Sequence, residues 1–171
     1  MYRTFPYIVL FLATTLLQVF FFDRLPLGPW CSPLVYIAPV LLLPLDTRPI
    51  VLLGCGLVCG LAADYAMGTA GLNVAATLPI AFLRRNLVAL VSNREDNREE
   101  GIPSPEHMGR RVYWIYLVLL TGLHHLLFFL LEALSWQQLP QTALRLAASG
   151  AVTVGVIALA ERLLTAKALR V

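Results

Sequence analysis

The basic residues of this chain fall on alternate connections between apolar segments, and this alternation constrains the fold more than any other feature. Six apolar segments run over residues 5–22, 29–45, 49–63, 72–83, 112–134 and 142–160. Only Arg24 and Arg145 lie on one side of the arrangement. The opposite side carries the other Lys and Arg residues: Arg3, Arg48, Arg84, Arg85, Arg94, Arg98, Arg110, Arg111, Arg162, Lys167 and Arg170. Because basic connections stay in the cytoplasm, the sequence predicts an all-α polytopic membrane protein with six transmembrane helices and both termini cytoplasmic.

The composition agrees with a single transmembrane domain over residues 1–171. The chain is 58% hydrophobic and 13% charged, whereas a soluble domain carries about 25% charged residues. Six spans of about 20 residues use most of the chain, so we expect no separate soluble domain. The net charge of +3 follows from the inner connections and gives no reason to expect a nucleic-acid partner. No small-residue cleavage site follows Phe22, so the first span is interpreted as a retained helix rather than a signal peptide.

The third and fourth segments are short for membrane spans. Residues 49–63 would make about 22 Å of helix and residues 72–83 about 18 Å, against a hydrocarbon core of about 30 Å. Two interpretations follow: the turn between them lies below the outer membrane surface, or local thinning of the bilayer absorbs the mismatch. The loop over residues 84–111 is either a solvated cytoplasmic loop or a docking segment. In the second segment, we expect Pro39 to bend the helix.

One face of the third helix combines small residues with an acid. Gly56, Gly60 and Asp64 follow one another at intervals of four residues and share a face. The glycines allow close approach of another helix, and the same contact would bury the Asp64 carboxylate, which then needs hydrogen bonds, a charge partner or a proton. Asp64 is therefore either a structural tie or a proton or cation site. Gly68 and Gly71 frame the following turn, where positive φ is expected.

The fifth segment carries the other intramembrane polar residues, His124, His125 and Glu132. Adjacent histidines point about 100° apart on a helix and do not readily chelate one metal ion. His125 and Glu132 share a face, so a proton relay is one interpretation. Hydrogen bonding between helices is the other.

No enzymatic template or cofactor site is found. The chain lacks Gly-x-Ser-x-Gly, a P-loop and His-Glu-x-x-His, so we predict no catalytic residue. Cys31, Cys55 and Cys59 lack the further ligands of a zinc site and are interpreted as packing residues. We therefore expect no bound metal and no cofactor.

The central part of the chain resembles a known family. Residues 60–77 read GLAADYAMGTAGLNVAAT, which is similar to the signature of MreD, the rod shape-determining membrane protein of bacteria: a Gly-rich helix ending in Gly-Leu-x-x-Asp, a small polar turn, then Gly before an Ala-rich helix. The length of the chain, the predicted number of spans and the pair Leu17-Gln18 near the N-terminus also resemble this family. Two features resemble the form found in Bacteroidetes-type bacteria: the stretch from Ser32-Pro33 to Asp46-Thr47, and His124-His125 followed by Glu132-Ala133.

The resemblance implies a non-enzymatic subunit of the cell-elongation machinery in the bacterial inner membrane. Such a subunit would bind MreC, lie near the RodA glycosyltransferase and its transpeptidase partner, and be linked indirectly to MreB filaments. The Gly56/Gly60/Asp64 face would then serve lateral contacts. The family fold is also similar to the substrate-binding subunit of energy-coupling-factor transporters. A small-molecule-binding transporter subunit is therefore the alternative, and a pocket lined by Asp64 and aromatic residues would favour it.

Overall fold

The computed structural model describes residues 5–24, 31–91, 101–133 and 139–168. These ranges form seven α-helices and no strand: α1 Phe5–Leu17, α2 Ala38–Leu42, α3 Pro49–Met67, α4 Leu72–Val91, α5 Pro105–Met108, α6 Arg110–Ala133 and α7 Leu139–Ala168. A π-helical turn, Gln18–Phe22, extends α1, and a 3-10 turn, Val35–Ile37, precedes α2. The all-α prediction is thus confirmed. Arg3, Arg170 and the mixed-charge residues 94–100 of the predicted loop lie outside the described residues.

Five of the described helical stretches are long and apolar enough to cross a membrane: Phe5–Phe22, Pro49–Met67, Leu72–Val91, Arg110–Ala133 and Thr142–Thr165. Their outward faces carry large apolar side chains such as Ile50, Phe82 and Leu90. Faces of this kind suit lipid, which is as apolar as the side chains themselves. These helices agree with five of the six predicted spans.

The second predicted span, residues 29–45, is not a long helix. Residues 31–45, called the central segment below, begin without regular secondary structure, make the 3-10 turn and the five-residue helix α2, and continue past Leu42 to Leu45. Pro39 lies in the first turn of α2, where proline is tolerated, so it begins a helix instead of bending one. Leu43 has an extended ψ of 150°, as expected for a residue that precedes a proline, here Pro44.

The central segment runs through the bundle from one end to the other. Ser32 contacts Arg145 and Ser149 near the start of α7, the end at which α6 stops. Leu45 donates its N–H to the carbonyl of Gly101 at 2.9 Å, shortly before α6 starts. Every residue from Pro33 to Leu42 is buried. Non-helical backbone at membrane depth is tolerated only where protein covers it, and here the surrounding helices do.

Helices α3 and α4 are longer than predicted. With 19 and 20 residues they are about 28 and 30 Å long, enough to match the hydrocarbon core. The prediction that both helices are short was therefore wrong. Their length gives no reason to place the turn between them below the membrane surface. Helix α4 continues to Val91, so Arg84 and Arg85 belong to a helix and not to the predicted 84–111 loop. Helices α3 and α4 share the largest interface of the bundle, followed by α4 with α6 and α6 with α7.

Candidate functional site

The small face of α3 packs against α4 of the same chain. A Cβ atom added to Gly60 would lie 2.7 Å from the Cα atom of Val74, and one added to Gly56 would lie 3.0 Å from the Cβ atom of Ala81. Real side chains do not approach a backbone this closely, so only glycine fits at residue 60. Since α4 occupies this face, the face is closed to a partner protein, contrary to the lateral role expected for it.

The Asp64 carboxylate accepts four hydrogen bonds at the start of α4. Its Oδ1 atom accepts from Thr69 Oγ1 at 2.6 Å, from the Asn73 backbone N–H at 2.9 Å and from Asn73 Nδ2 at 3.0 Å, and its Oδ2 atom accepts from the Val74 N–H at 3.0 Å. The first N–H groups of a helix have no partner within the helix, and a carboxylate there satisfies them and interacts favourably with the helix dipole. Asp64 therefore ties the end of α3 to the beginning of α4.

The turn between these helices depends on two glycines. Gly68 and Gly71 have φ angles of 67° and 82°, in the left-handed region that the sequence predicts for them. Gly68 ends α3 in this conformation, and the next N–H, that of Thr69, donates to the Asp64 carbonyl at 3.0 Å. The chain then reverses so that the Thr69 hydroxyl reaches the Asp64 carboxylate.

His125 links α6, α7 and the central segment. The Thr121 carbonyl lies 2.9 Å from its Nδ1 atom, so Nδ1 carries the proton and donates. Nε2 is then an acceptor, and the Thr153 hydroxyl lies 3.1 Å from it. Thr153 in turn accepts the backbone N–H of Leu34 at 3.1 Å. Every proton in this chain of bonds has an acceptor when the imidazole is neutral, so the arrangement fits a structural bond better than a proton relay.

His124 lies in a second buried group with Tyr36 and Thr77. Its Nε2 atom is 3.1 Å from the Tyr36 hydroxyl and 3.3 Å from the Thr77 hydroxyl. Thr77 donates its proton to the Asn73 carbonyl at 2.6 Å. Within the described ranges, His124 Nδ1 is buried without a partner. Because a buried N–H without an acceptor is rare, we assign the proton to Nε2, which donates to Tyr36.

Glu132 does not approach His125. It lies at the end of α6 and pairs with Arg145 of α7 at 2.7 Å. Arg145 also donates to the Ser32 hydroxyl at 2.9 Å, and its guanidinium lies 4.7 Å from the centre of the Phe129 ring. The three predicted intramembrane polar residues thus have separate sets of hydrogen-bond partners, although the rings of His124 and His125 are in edge contact. No hydrogen bond of Glu132 leads towards His125, so the relay is not assembled.

Four further polar residues support the central segment, and sequence reasoning gave them no partner. At one end, Gln18 and Ser149 accept N–H groups of the segment. At the other end, Tyr116 donates to the Leu41 carbonyl at 2.6 Å and Arg84 donates to the Leu43 carbonyl. A polar side chain in an apolar helix is expensive and so signals a partner. That signal was present in the sequence, but it does not say which backbone atom the side chain meets.

The described residues contain no group of three or more His, Cys, Asp or Glu side chains placed to hold a metal ion. Cys55 and Cys59 lie with their sulfur atoms 3.9 Å apart on successive turns of α3, which fits a weak thiol–thiol contact. The hydrogen bonds of Asp64, His125, Gln18 and Tyr116 hold backbone and helices in place.

Comparison with known proteins gives no relative: no protein-family model, no curated protein and no solved structure matches this chain.

Proposed function

We propose that this chain is a non-enzymatic membrane scaffold of the bacterial cell-elongation machinery. It binds an MreC-like protein and neighbouring membrane proteins in the inner membrane, with indirect links to a RodA-type glycosyltransferase, its transpeptidase partner and MreB filaments. The family assignment rests on the resemblance of residues 60–77 to MreD. The claim that the chain is a scaffold rests on the structure of the bundle interior.

The observation that carries the proposal is the use of Asp64. All four of its hydrogen bonds go to the turn and to the start of α4, which supports a structural role for the carboxylate. The transporter alternative needs a pocket at this residue. His124 and His125 are likewise bonded within the chain. The outer surface carries exposed apolar side chains and is available to neighbouring membrane proteins.

We further propose that the central segment is the sixth membrane crossing, which places both termini in the cytoplasm. Supporting this, Ser32 and Leu45 are bonded to opposite ends of the bundle. The non-helical residues 31–34, one 3-10 turn and the five residues of α2 together reach at most about 25–30 Å. This length is comparable to the thickness of the hydrocarbon core.

Depletion of the protein followed by measurement of cell shape and solute uptake tests the proposed function. Rod-shaped cells should become round, and uptake of vitamins and ions should stay normal. Photo-crosslinking residues at Leu12 of α1 and Leu159 of α7, both exposed to the surroundings, should capture an MreC-like neighbour. The same residue at buried Leu41 is the matched control and should capture none. An uptake defect in cells of normal shape would favour the transporter alternative.

A further inference from the structure

A pocket of about 240 Å³ lies where α6 ends and α7 begins. Its lining residues are Phe129, Glu132, Ala133, Thr142 and Arg145. The Arg145 guanidinium lies over the Phe129 ring and is paired with the Glu132 carboxylate at this end of the bundle. Leu130 and Leu144, which neighbour the lining residues Phe129 and Arg145 in sequence, are exposed.

The ion pair of Arg145 and Glu132 leaves some of its hydrogen-bond donors and acceptors without a partner. Glu132 Oε2 accepts from Arg145 Nη1 at 2.7 Å, but Oε1 has only a long contact of 3.4 Å with Nη2. Arg145 Nε is buried and has no hydrogen-bond partner among the described residues, so it does not face the pocket. Arg145 Nη1 carries two N–H groups and donates one of them to Glu132. A guanidinium has five N–H donors and a carboxylate about four acceptor positions. The pair therefore retains both a donor for an anion and an acceptor for an ammonium group.

We propose that this pocket binds the headgroup of a phosphoethanolamine lipid. The phosphate oxygens accept hydrogen bonds from Arg145, because guanidinium groups match phosphate geometry. The primary ammonium donates to Glu132. The first carbon atoms of the lipid lie along the exposed leucines of α6 and α7. The headgroup thus adds a second anion and a second cation to an existing ion pair, and each charge faces its opposite.

The chemistry separates this ligand from other lipids. A phosphocholine headgroup has the phosphate but no N–H to donate to Glu132. A phosphoglycerol headgroup has no cation at all. Soluble O-phosphoethanolamine has both groups but lacks the acyl chains that would lie against the leucines. Retention of phosphatidylethanolamine in preference to all three is therefore the signature of the proposed site.

The full-length protein in detergent micelles is titrated with each of the four molecules. Native mass spectrometry then counts the retained lipids, and the thermal unfolding midpoint is measured in parallel. Phosphatidylethanolamine should bind about tenfold more tightly than phosphatidylcholine or phosphatidylglycerol, equivalent to a difference of about 1.4 kcal/mol. Equal retention of the lipids would overturn the proposal. Equally tight binding of O-phosphoethanolamine would overturn the assignment to a lipid.

Two variants and two matched controls locate the site. Glu132→Gln keeps an acceptor for Arg145 but loses the charge that attracts the ammonium, and should abolish the preference for phosphatidylethanolamine over phosphatidylcholine. Arg145→Gln should weaken retention of both lipids. Asp23→Asn and Arg24→Gln remove the same charges from exposed residues at the end of the first span and should change nothing. If Arg145→Gln fails to fold, Glu132→Gln alone decides, and an unchanged lipid preference in that variant would refute the site.

Discussion

The side-chain oxygen of Gln18 accepts a hydrogen bond from the backbone N–H of Val35 at 2.7 Å, in the interior of the bundle. The amide nitrogen of Gln18 donates to the Pro33 carbonyl at 3.1 Å. One glutamine of the first span therefore satisfies two backbone groups that a regular helix would have paired within itself. Buried backbone groups need such partners, so the irregular central segment depends on side chains of its neighbours.

Replacing Gln18 with leucine should destabilise the protein strongly. Gln18→Leu leaves the Val35 N–H and the Pro33 carbonyl without partners, at about 1–3 kcal/mol for each group. Thr14→Val is the matched control, because the Thr14 hydroxyl bonds only to the carbonyls of Leu10 and Phe11 in its own helix. The free energy of unfolding is measured in mixed micelles. Similar values for the two variants would show that the central segment does not depend on Gln18.

Two buried tyrosines on successive turns of α6 should respond differently to loss of their hydroxyl groups. Tyr116 donates to the Leu41 carbonyl at 2.6 Å and accepts from Arg84 Nε at 2.9 Å. Tyr113 is equally buried, but its hydroxyl has no hydrogen-bond partner among the described residues. Tyr116→Phe should cost about 1–3 kcal/mol of stability, whereas Tyr113→Phe should be neutral or stabilising.

Thermal unfolding in detergent checks this pair, with wild type and both variants at the same lipid content. The comparison is well controlled because each change removes one oxygen from a buried ring on the same helix. A larger loss in Tyr113→Phe than in Tyr116→Phe would contradict the role given to Tyr116, which is to hold the end of α2.

The sequence was sufficient for five helices and for the α3–α4 turn, and the reasons are local. The spacing of Gly56, Gly60 and Asp64 puts them on one face in any helix, and the structure has them against α4. Gly68 and Gly71 follow the helix at positions where a turn with positive φ favours glycine. The sequence did not say that the small face would be occupied from within the chain, because hydropathy does not distinguish a neighbouring helix from a partner protein.

The central segment could not have been predicted in the same way. Its apolar composition suits a spanning helix and a fully buried irregular chain alike, since both avoid water. What separates the two is the supply of bonds from residues far away in sequence, such as Ser149 to Ser32 and Arg84 to Leu43. Pro33, Pro39 and Pro44 were the local evidence against one long helix, since proline interrupts helix hydrogen bonding.

Two glycines of α3 should differ sharply on replacement by alanine. A Cβ atom at Gly60 would lie 2.7 Å from the Val74 Cα atom, whereas one at Gly54 would have no atom within 4 Å. Gly60→Ala must push α3 and α4 apart and should cost about 1–3 kcal/mol. Gly54→Ala should be neutral or stabilising by up to about 1 kcal/mol, as alanine favours helix. Membrane abundance and unfolding in detergent are the measurements, and equal behaviour would refute the close α3–α4 packing.

Substitutions of Asp64 separate a structural tie from an ion-coupling group. Asp64→Asn retains an oxygen for Thr69 and Asn73, but its NH₂ group would face the Val74 N–H, so a loss of about 1–3 kcal/mol is expected. Asp64→Leu removes all the acceptors and should cost roughly twice as much or more. Membrane abundance and complementation of cell shape are measured for both. A fully inserted, stable Asp64→Asn protein that fails to complement would refute the structural interpretation.

The membrane side of Asp46 decides between five and six crossings. Asp23 and Asp46 flank the central segment, and Ala70 lies in the α3–α4 turn; all three are exposed. With Cys31, Cys55 and Cys59 replaced, single cysteines at these residues are tested with an impermeant thiol reagent in intact and permeabilised cells. If the central segment crosses, Asp23→Cys and Ala70→Cys react in intact cells and Asp46→Cys reacts only after permeabilisation.

Without that crossing, Asp46 would share the side of Asp23, and Ala70 would change sides. Five crossings would also export most of the basic residues of the chain, because Arg48, Arg85 and Arg110 lie at the same end of their helices as Asp46. Translocation of so many positive charges opposes the rule that orients membrane proteins. Labelling of Asp46→Cys in intact cells would therefore overturn both the sixth crossing and the cytoplasmic position of both termini.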